Sequence, residues 1–367
     1  MSNSLKPENA QAIEENTHID STQSGAEEVN AQDKKEEKRE LRRAPLGPDS
    51  LLWKWGSDNR LQLLRGYTGI LQNMHPAIGQ SLLDHSKFFD EPFARLQRST
   101  PQIIESIYDD GDIGERIRDY HVTIKGTLQN GERYHSLNPE TYYWAHATFV
   151  YRVIYAQELF GTPFTKEERD QIVREGVTWW DKYGMSERPV IDNYDDLIKY
   201  MDDMADTVLE RNQTVDFALR TARVEPVKAP EGVPEAVWRV IWKPIMRSAI
   251  WLTVATLPQK YRDILDLKWT KRDQKRFDRI AKSVRFIMDH LPEDKRYMEP
   301  GRSLMIKNGM IEGKYKEPRN IAPYNNGGDP EEELKAADGI TVAAREPGEK
   351  GNEDGGAAAR RAAGCPF

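Results

Sequence analysis

The stretch NPETYYWAHATFVYRVIYAQELFG, residues 138–161, decides the fold. Asn138 supplies the short acceptor side chain of an N-cap, and Pro139 suits a first helical position, where a missing N–H costs nothing. No breaker then occurs until Gly161, so the spacing predicts a long helix from Glu140 to Phe160.

Helical periodicity continues outward on both sides. Upstream, Leu61, Leu64, Leu71 and Met74 fall on one helix face. Thr100-Pro101 reads as an N-cap and its proline, opening a helix over 102–108. A next helix is predicted from Ile113 to Ile124, with Ile117, His121 and Ile124 on one stripe. The clearest strand signal follows: Gly126–Gln129 and Glu132–His135 flank Asn130-Gly131, the pair a tight two-residue hairpin needs. Downstream, Thr165 and Glu168 form a capping box for a helix ending at Gly184. Leu197, Met201, Met204 and Val208 make the stripe of another helix. Pro234 to Leu257 reads as a Trp-rich helix pair kinked at Pro244. Thr270 caps a last helix through Phe277, Ile280, Val284 and Ile287 to Leu291. With one hairpin and no internal repeat, the expected fold is all-α.

Composition separates this domain from its flanks. Residues 1–45 contain no aromatic and carry 10 acidic against 7 basic side chains; residues 319–367 carry 9 against 6. All nine tryptophans lie between Trp53 and Trp269. The total charge of −7 and the mean hydropathy of −0.76 therefore describe the tails more than the middle. The expected organisation is a disordered acidic tail (1–45), one helical domain (46–318) and a second disordered tail (319–367), the tails available to dock a protein partner. The middle is close to neutral, which disfavours nucleic acid as the main partner.

Several chemistries are excluded. Cys365 is the one cysteine, so there is no internal disulfide, cysteine-based zinc site or buried thiol nucleophile. The apolar run Val233–Leu257 is broken by Glu235, Arg239, Lys243, Pro244 and Arg247, so no stable membrane insertion is expected. The first residues contain no apolar leader, and a cytoplasmic location is expected. Of the seven histidines, His135 follows Glu132 and His18 follows Glu15 at the di-iron spacing, but in a hairpin and a tail. No zinc-binding helix pair, phosphate loop or nucleophile elbow is present. What remains is single histidines on apolar helix faces, His121 and His146. Each suits either a satisfied core imidazole or the axial ligand of a haem iron.

A resemblance adds to this. The segments Asn73-Met-His-Pro-Ala-Ile-Gly, Asp84-His-Ser-Lys-Phe, Pro92-Phe-Ala-Arg95-Leu-Gln-Arg98-Ser-Thr100, Arg118-Asp-Tyr-His121-Val-Thr-Ile-Lys-Gly126 and Trp144-Ala-His146-Ala-Thr follow one another in order. Together they resemble the catalytic domain of the MpaB-type and rubber oxygenase (latex-clearing protein) family, over about residues 50–215. The resemblance implies an all-α protein with a globin-like core, b-type haem (haem b, with its iron), and cleavage of isoprenoid double bonds by dioxygen. It implies His121 as proximal iron ligand, His146 in the haem surroundings, and Arg95 or Arg98 with Thr100 in the distal pocket. An arginine there pairs a propionate or polarises oxygen, and a hydroxyl orients it. Thr100 is also readable as a helix cap, Arg95 and Arg98 as surface residues of a loop, and His75 and His85 as structural. Rubber oxygenases carry a lysine beside the distal threonine and an earlier carboxylate; here Ser99 and Arg98 stand near Thr100, and Asp84 is the nearest carboxylate. The function expected is a haem-dependent oxygenase acting on an apolar or prenylated small molecule. The alternative is a non-catalytic haem-binding or helical interaction protein.

Overall fold

Sixteen of the 22 residues of one helix, α6 (Pro139–Phe160), are buried, so it packs around most of its circumference. Its ends are those its own residues dictate. The Asn138 side chain accepts from the Glu140 amide at 3.0 Å, and a Cβ at Gly161 would collide with the Gln157 side chain. Trp144, Ile154 and Phe160 are wholly buried, each contributing about 1.5–3 kcal/mol through removal of apolar surface from water.

The computed structural model describes residues 36–37, 39–86, 92–220, 229 and 232–317, without the side chains of 92–98. The two tails expected to be disordered lie almost wholly outside the described residues. The chain divides after Ala44 into two units. In the first, residues 36–37 and 39–41 are helical.

Among the described residues the second unit is all-α with one hairpin. In chain order its helices are α1 (Leu51–Trp55), a 3-10 helix (Asn59–Leu64), α2 (Arg65–Asn73), α3 (Pro76–His85), α4 (Pro92–Tyr108) and α5 (Ile113–Asp119). After the hairpin and α6 come α7 (Lys166–Asp181), α8 (Tyr194–Thr207), α9 (Gln213–Arg220), α10 (Glu235–Thr256), α11 (Gln259–Ile264), α12 (Lys271–His290) and α13 (Gly301–Lys307). α6 packs against α2 and α7, and α10 covers α2. Leu61, Leu64, Leu71 and Met74 all reach the core. The capping boxes of α7 (Thr165, Glu168) and α12 (Thr270, Asp273) are both formed. Among the described residues no helix is long and apolar enough to cross a membrane.

Four expectations are corrected. Thr100 does not begin a helix: α4 starts at Pro92 and runs through Thr100 and Pro101. Proline inside a helix loses one backbone bond to the carbonyl four residues back, a cost offset here by the buried side chains of Ile103, Ile104 and Ile107. The helix from Ile113 stops at Asp119 and not at Ile124; a tightening turn carries His121, with its amide bonded three residues back to Arg118 O. The Trp-rich segment is one helix, α10, continuous through Pro244.

The hairpin also differs from a two-residue turn. β1 (Lys125–Thr127) pairs antiparallel with β2 (Arg133–His135), Gly126 facing Tyr134. Leu128 and Glu132 close a three-residue loop through Leu128 N–H to Glu132 O at 2.7 Å, and Gly131 takes a φ of +88°. A turn followed by a left-handed glycine is the alternative use of Asn-Gly, and it shifts the loop by one residue. α3 holds the hairpin: Tyr134 donates its hydroxyl to Asp84 at 2.7 Å, and His85 Nε2–H donates to Lys125 O at 3.1 Å.

Candidate functional site

His121 is buried in the turn after α5, 1% exposed. Its Nδ1 lies 2.8 Å from the Ile117 carbonyl. A carbonyl only accepts, so Nδ1 carries the proton and, in the neutral ring, Nε2 carries the lone pair. The ring meets the edge of Tyr142, centroids 5.3 Å apart. Arg118, in the last turn of α5, donates from Nη1 to the carbonyl of Tyr183 at 3.0 Å, just beyond α7. The local reason is the tightened turn: it keeps His121 within reach of Ile117 although the helix has ended.

His146 lies in the middle of α6 inside an aromatic box. Trp179, Trp180, Tyr183 and Tyr143 surround it at centroid separations of 4.9, 5.3, 5.7 and 6.0 Å. Its Nε2–H donates to the Gly176 carbonyl at 2.9 Å, and the buried Nδ1 has no hydrogen-bond partner. Burial pulls its pKa down to about 4, against the opposing effect of the Gly176 bond, so the ring is neutral at pH 7. Tyr142 joins the two sites: it touches His121, and it also touches Trp180 and Tyr183 of the His146 box. The two histidines therefore face one aromatic cluster.

The remaining expected residues do not gather in the same way. Positions 95 and 98 lie on α4, not in a loop, and the side chains of Arg95 and Arg98 fall outside the described residues. Thr100 is half-buried on the same helix. At 3.6 residues per turn, position 100 is rotated roughly 140–160° from positions 95 and 98. Ser99, which is buried, lies one turn after position 95. Asp84 is engaged by Tyr134 and by Gln80 Nε2 at 2.8 Å, holding the hairpin. His75 caps α3, its Nδ1 accepting from Ala77 N at 3.2 Å, with a pKa lowered by burial to about 4.

Two buried charges were not legible as such. Glu175 of α7 is fully buried and accepts from the amides of Leu51 and Leu52 at 3.0 and 2.7 Å and from Gln171. Burial raises its pKa despite those bonds. Arg152 of α6 is 9% exposed. Its signal in the sequence is that it is the one charged residue between Glu140 and Glu158.

Can these residues hold a haem? An iron-binding imidazole needs a lone pair on one nitrogen and an anchored N–H on the other. His121 has that arrangement, with Nδ1–H anchored on Ile117 O and the lone pair on Nε2. His146 is also anchored, but its lone pair is on Nδ1, enclosed by four aromatic rings. The residues fit, and His121 fits better. Among the described residues no group of three or more His, Cys, Asp or Glu side chains is placed to hold a metal ion; a haem needs no such group.

Residues 53–286 match the family model described as "ER-bound oxygenase mpaB/B'/Rubber oxygenase, catalytic domain". No curated protein and no solved structure matches the chain.

Proposed function

The chain belongs to the family of mpaB and rubber oxygenase catalytic domains, and on that premise we propose that it is a haem-dependent oxygenase. Its substrates in this reading are dioxygen and an apolar, isoprenoid-type small molecule. The observation that carries it is the Nδ1–H of buried His121 on the Ile117 carbonyl at 2.8 Å. That bond fixes the ring and its tautomer, and makes Nε2 the more basic donor to iron.

Each residue has a distinct part. His121 would hold the iron of haem b, which when bound supplies a site for activating dioxygen. Arg118 fixes the His121 turn against the end of α7 through the Tyr183 carbonyl. His146, neutral and enclosed by aromatic rings, packs the neighbouring wall without adding a charge. Arg95 and Arg98 are assigned to the oxygen side, together with a hydroxyl, Thr100 or the buried Ser99. The proposal includes a cytoplasmic location, checked by cell fractionation.

The test is spectroscopic. Haem added to the purified protein should give a Soret band and a pyridine haemochrome. His121→Ala should abolish both, while His146→Ala should retain them. A folded protein that takes up no haem overturns the reading. Haem uptake without oxygen consumption on any prenyl substrate would favour a non-catalytic haem protein.

A further inference from the structure

Arg152 stands apart from the other buried arginines. Arg60 forms a two-pronged pair with Asp58, at 2.9 and 2.8 Å. Arg262 donates to the Val254 carbonyl at 3.2 Å and to Gln259 Oε1 at 3.1 Å. Arg152, equally buried, makes no hydrogen bond or ion pair with any described residue, and its Nε is a buried, unsatisfied donor. Its Cζ lies over the ring of Phe149, 5.4 Å from the centroid. That Nε is a charged group's donor left unsatisfied in the interior, at the cost of its desolvation. Proteins retain such a group where something else completes it.

The packing of α2 on α6 shows what lies around it. Trp144 Nε1 donates to Leu71 O at 3.0 Å, and Gln72 Nε2 donates to Thr148 Oγ1 at 2.8 Å. Farther along α6 and earlier in α2, Tyr67 meets Tyr155, centroids 5.1 Å apart. The two helices are therefore antiparallel, and Arg65, the first residue of α2, falls beside Arg152. Its charge joins burial in pulling the Arg152 pKa down to about 10. Arg65 is exposed and makes no ion pair among the described residues either. Gln72, Gly69 and Arg65 share one face of α2. Gln72 closes one end of the seam. At Gly69 nothing packs within 4 Å of where a Cβ would be, so there is open space on this face between Gln72 and Arg65.

We propose that Arg152, with Arg65 at the mouth, forms an anion subsite at the α2–α6 seam that takes the carboxylate of a bound ligand. A guanidinium offers two parallel N–H donors matched to a carboxylate, and the Phe149 ring lies 5.4 Å from its Cζ. The carboxylate belongs either to a haem propionate or to an acidic apolar substrate. The subsite does not depend on the haem reading.

The test uses the full chain, wild type, Arg152→Met and Arg152→Lys, with near-UV circular dichroism to verify the fold. Binding of protoporphyrin IX, its dimethyl ester and hexadecanoate is followed by fluorescence. Arg152→Met should weaken an acid by about 10- to 100-fold, the size of one charged hydrogen-bonded pair, and Arg152→Lys should weaken it less. Loss confined to protoporphyrin IX, with the diester unaffected, assigns the carboxylate to a propionate. Loss for hexadecanoate assigns it to a substrate. Arginine-dependent hexadecanoate binding without porphyrin binding would count against haem and leave the subsite standing. Unchanged affinity for both acids in both variants, or no binding of either acid by the wild type, overturns the proposal.

Discussion

Arg118 and Tyr183 are joined across 65 residues by a guanidinium N–H donated to a backbone carbonyl at 3.0 Å. This one bond ties the turn carrying His121 to the end of α7, whose rings Trp179 and Trp180 enclose His146. The bond thus links the segment that carries His121 to the one that supplies rings around His146.

Arg118→Ala should loosen the His121 turn without unfolding the domain. A charged donor to a carbonyl contributes about 1.5–3 kcal/mol at most, and the half-exposed Arg118 sits at the lower end of that range. Haem titration should show weaker uptake with an unchanged Soret position, while Arg118→Lys recovers part of the affinity. Uptake identical to wild type would show that the turn holds itself.

His75 and His146 give the stability of the domain a pH slope. Both have pKa values lowered by burial to about 4, from an ordinary 6.5. The unfolded chain binds their protons below pH 6.5, while the folded chain does not until about pH 4. The stabilisation is therefore complete above pH 6.5 and is lost as pH falls toward 4, by up to about 3 kcal/mol for each ring. Glu175, with its pKa raised by burial, adds a slope of the opposite sign. Urea midpoints measured from pH 7 to 4 check this. His75→Asn keeps an acceptor for the Ala77 amide and should remove one of the two histidine slopes; an unaltered pH profile would refute the burial account.

Glu175→Ala should be among the more damaging single changes in α7. It would orphan the amides of Leu51 and Leu52, the first turn of α1, at about 1–3 kcal/mol for each buried donor. Glu175→Gln retains acceptor oxygen and should lose less. Denaturant unfolding of the two variants gives the comparison, with equal losses pointing to charge and not to hydrogen bonding.

The helices were legible wherever a side chain acts on its own backbone. Asn138, Thr165 and Thr270 accept from amides two or three residues ahead, so their spacing alone locates α6, α7 and α12. Thr100-Pro101 offers the same local pattern and yet lies inside α4, because a proline at a helix start and one tolerated within a helix read alike. The short helices α1, α11 and α13 have too few residues to show a period. Of the candidate site, His121 and His146 were visible as imidazoles on apolar faces. Their tautomers, the Gly176 acceptor and the aromatic box were not.

The sequence by itself determined an all-α domain, the caps and stops of its long helices, and a hairpin around Asn130-Gly131, because those depend on interactions spanning a few residues. Only the tertiary structure decided which polar groups became buried and which of them found partners. Glu175 meets amides more than 120 residues away, and Arg152 finds no hydrogen-bond partner among the described residues. Such outcomes depend on which helix faces pack together, and desolvation then makes each pairing, or its absence, energetically decisive.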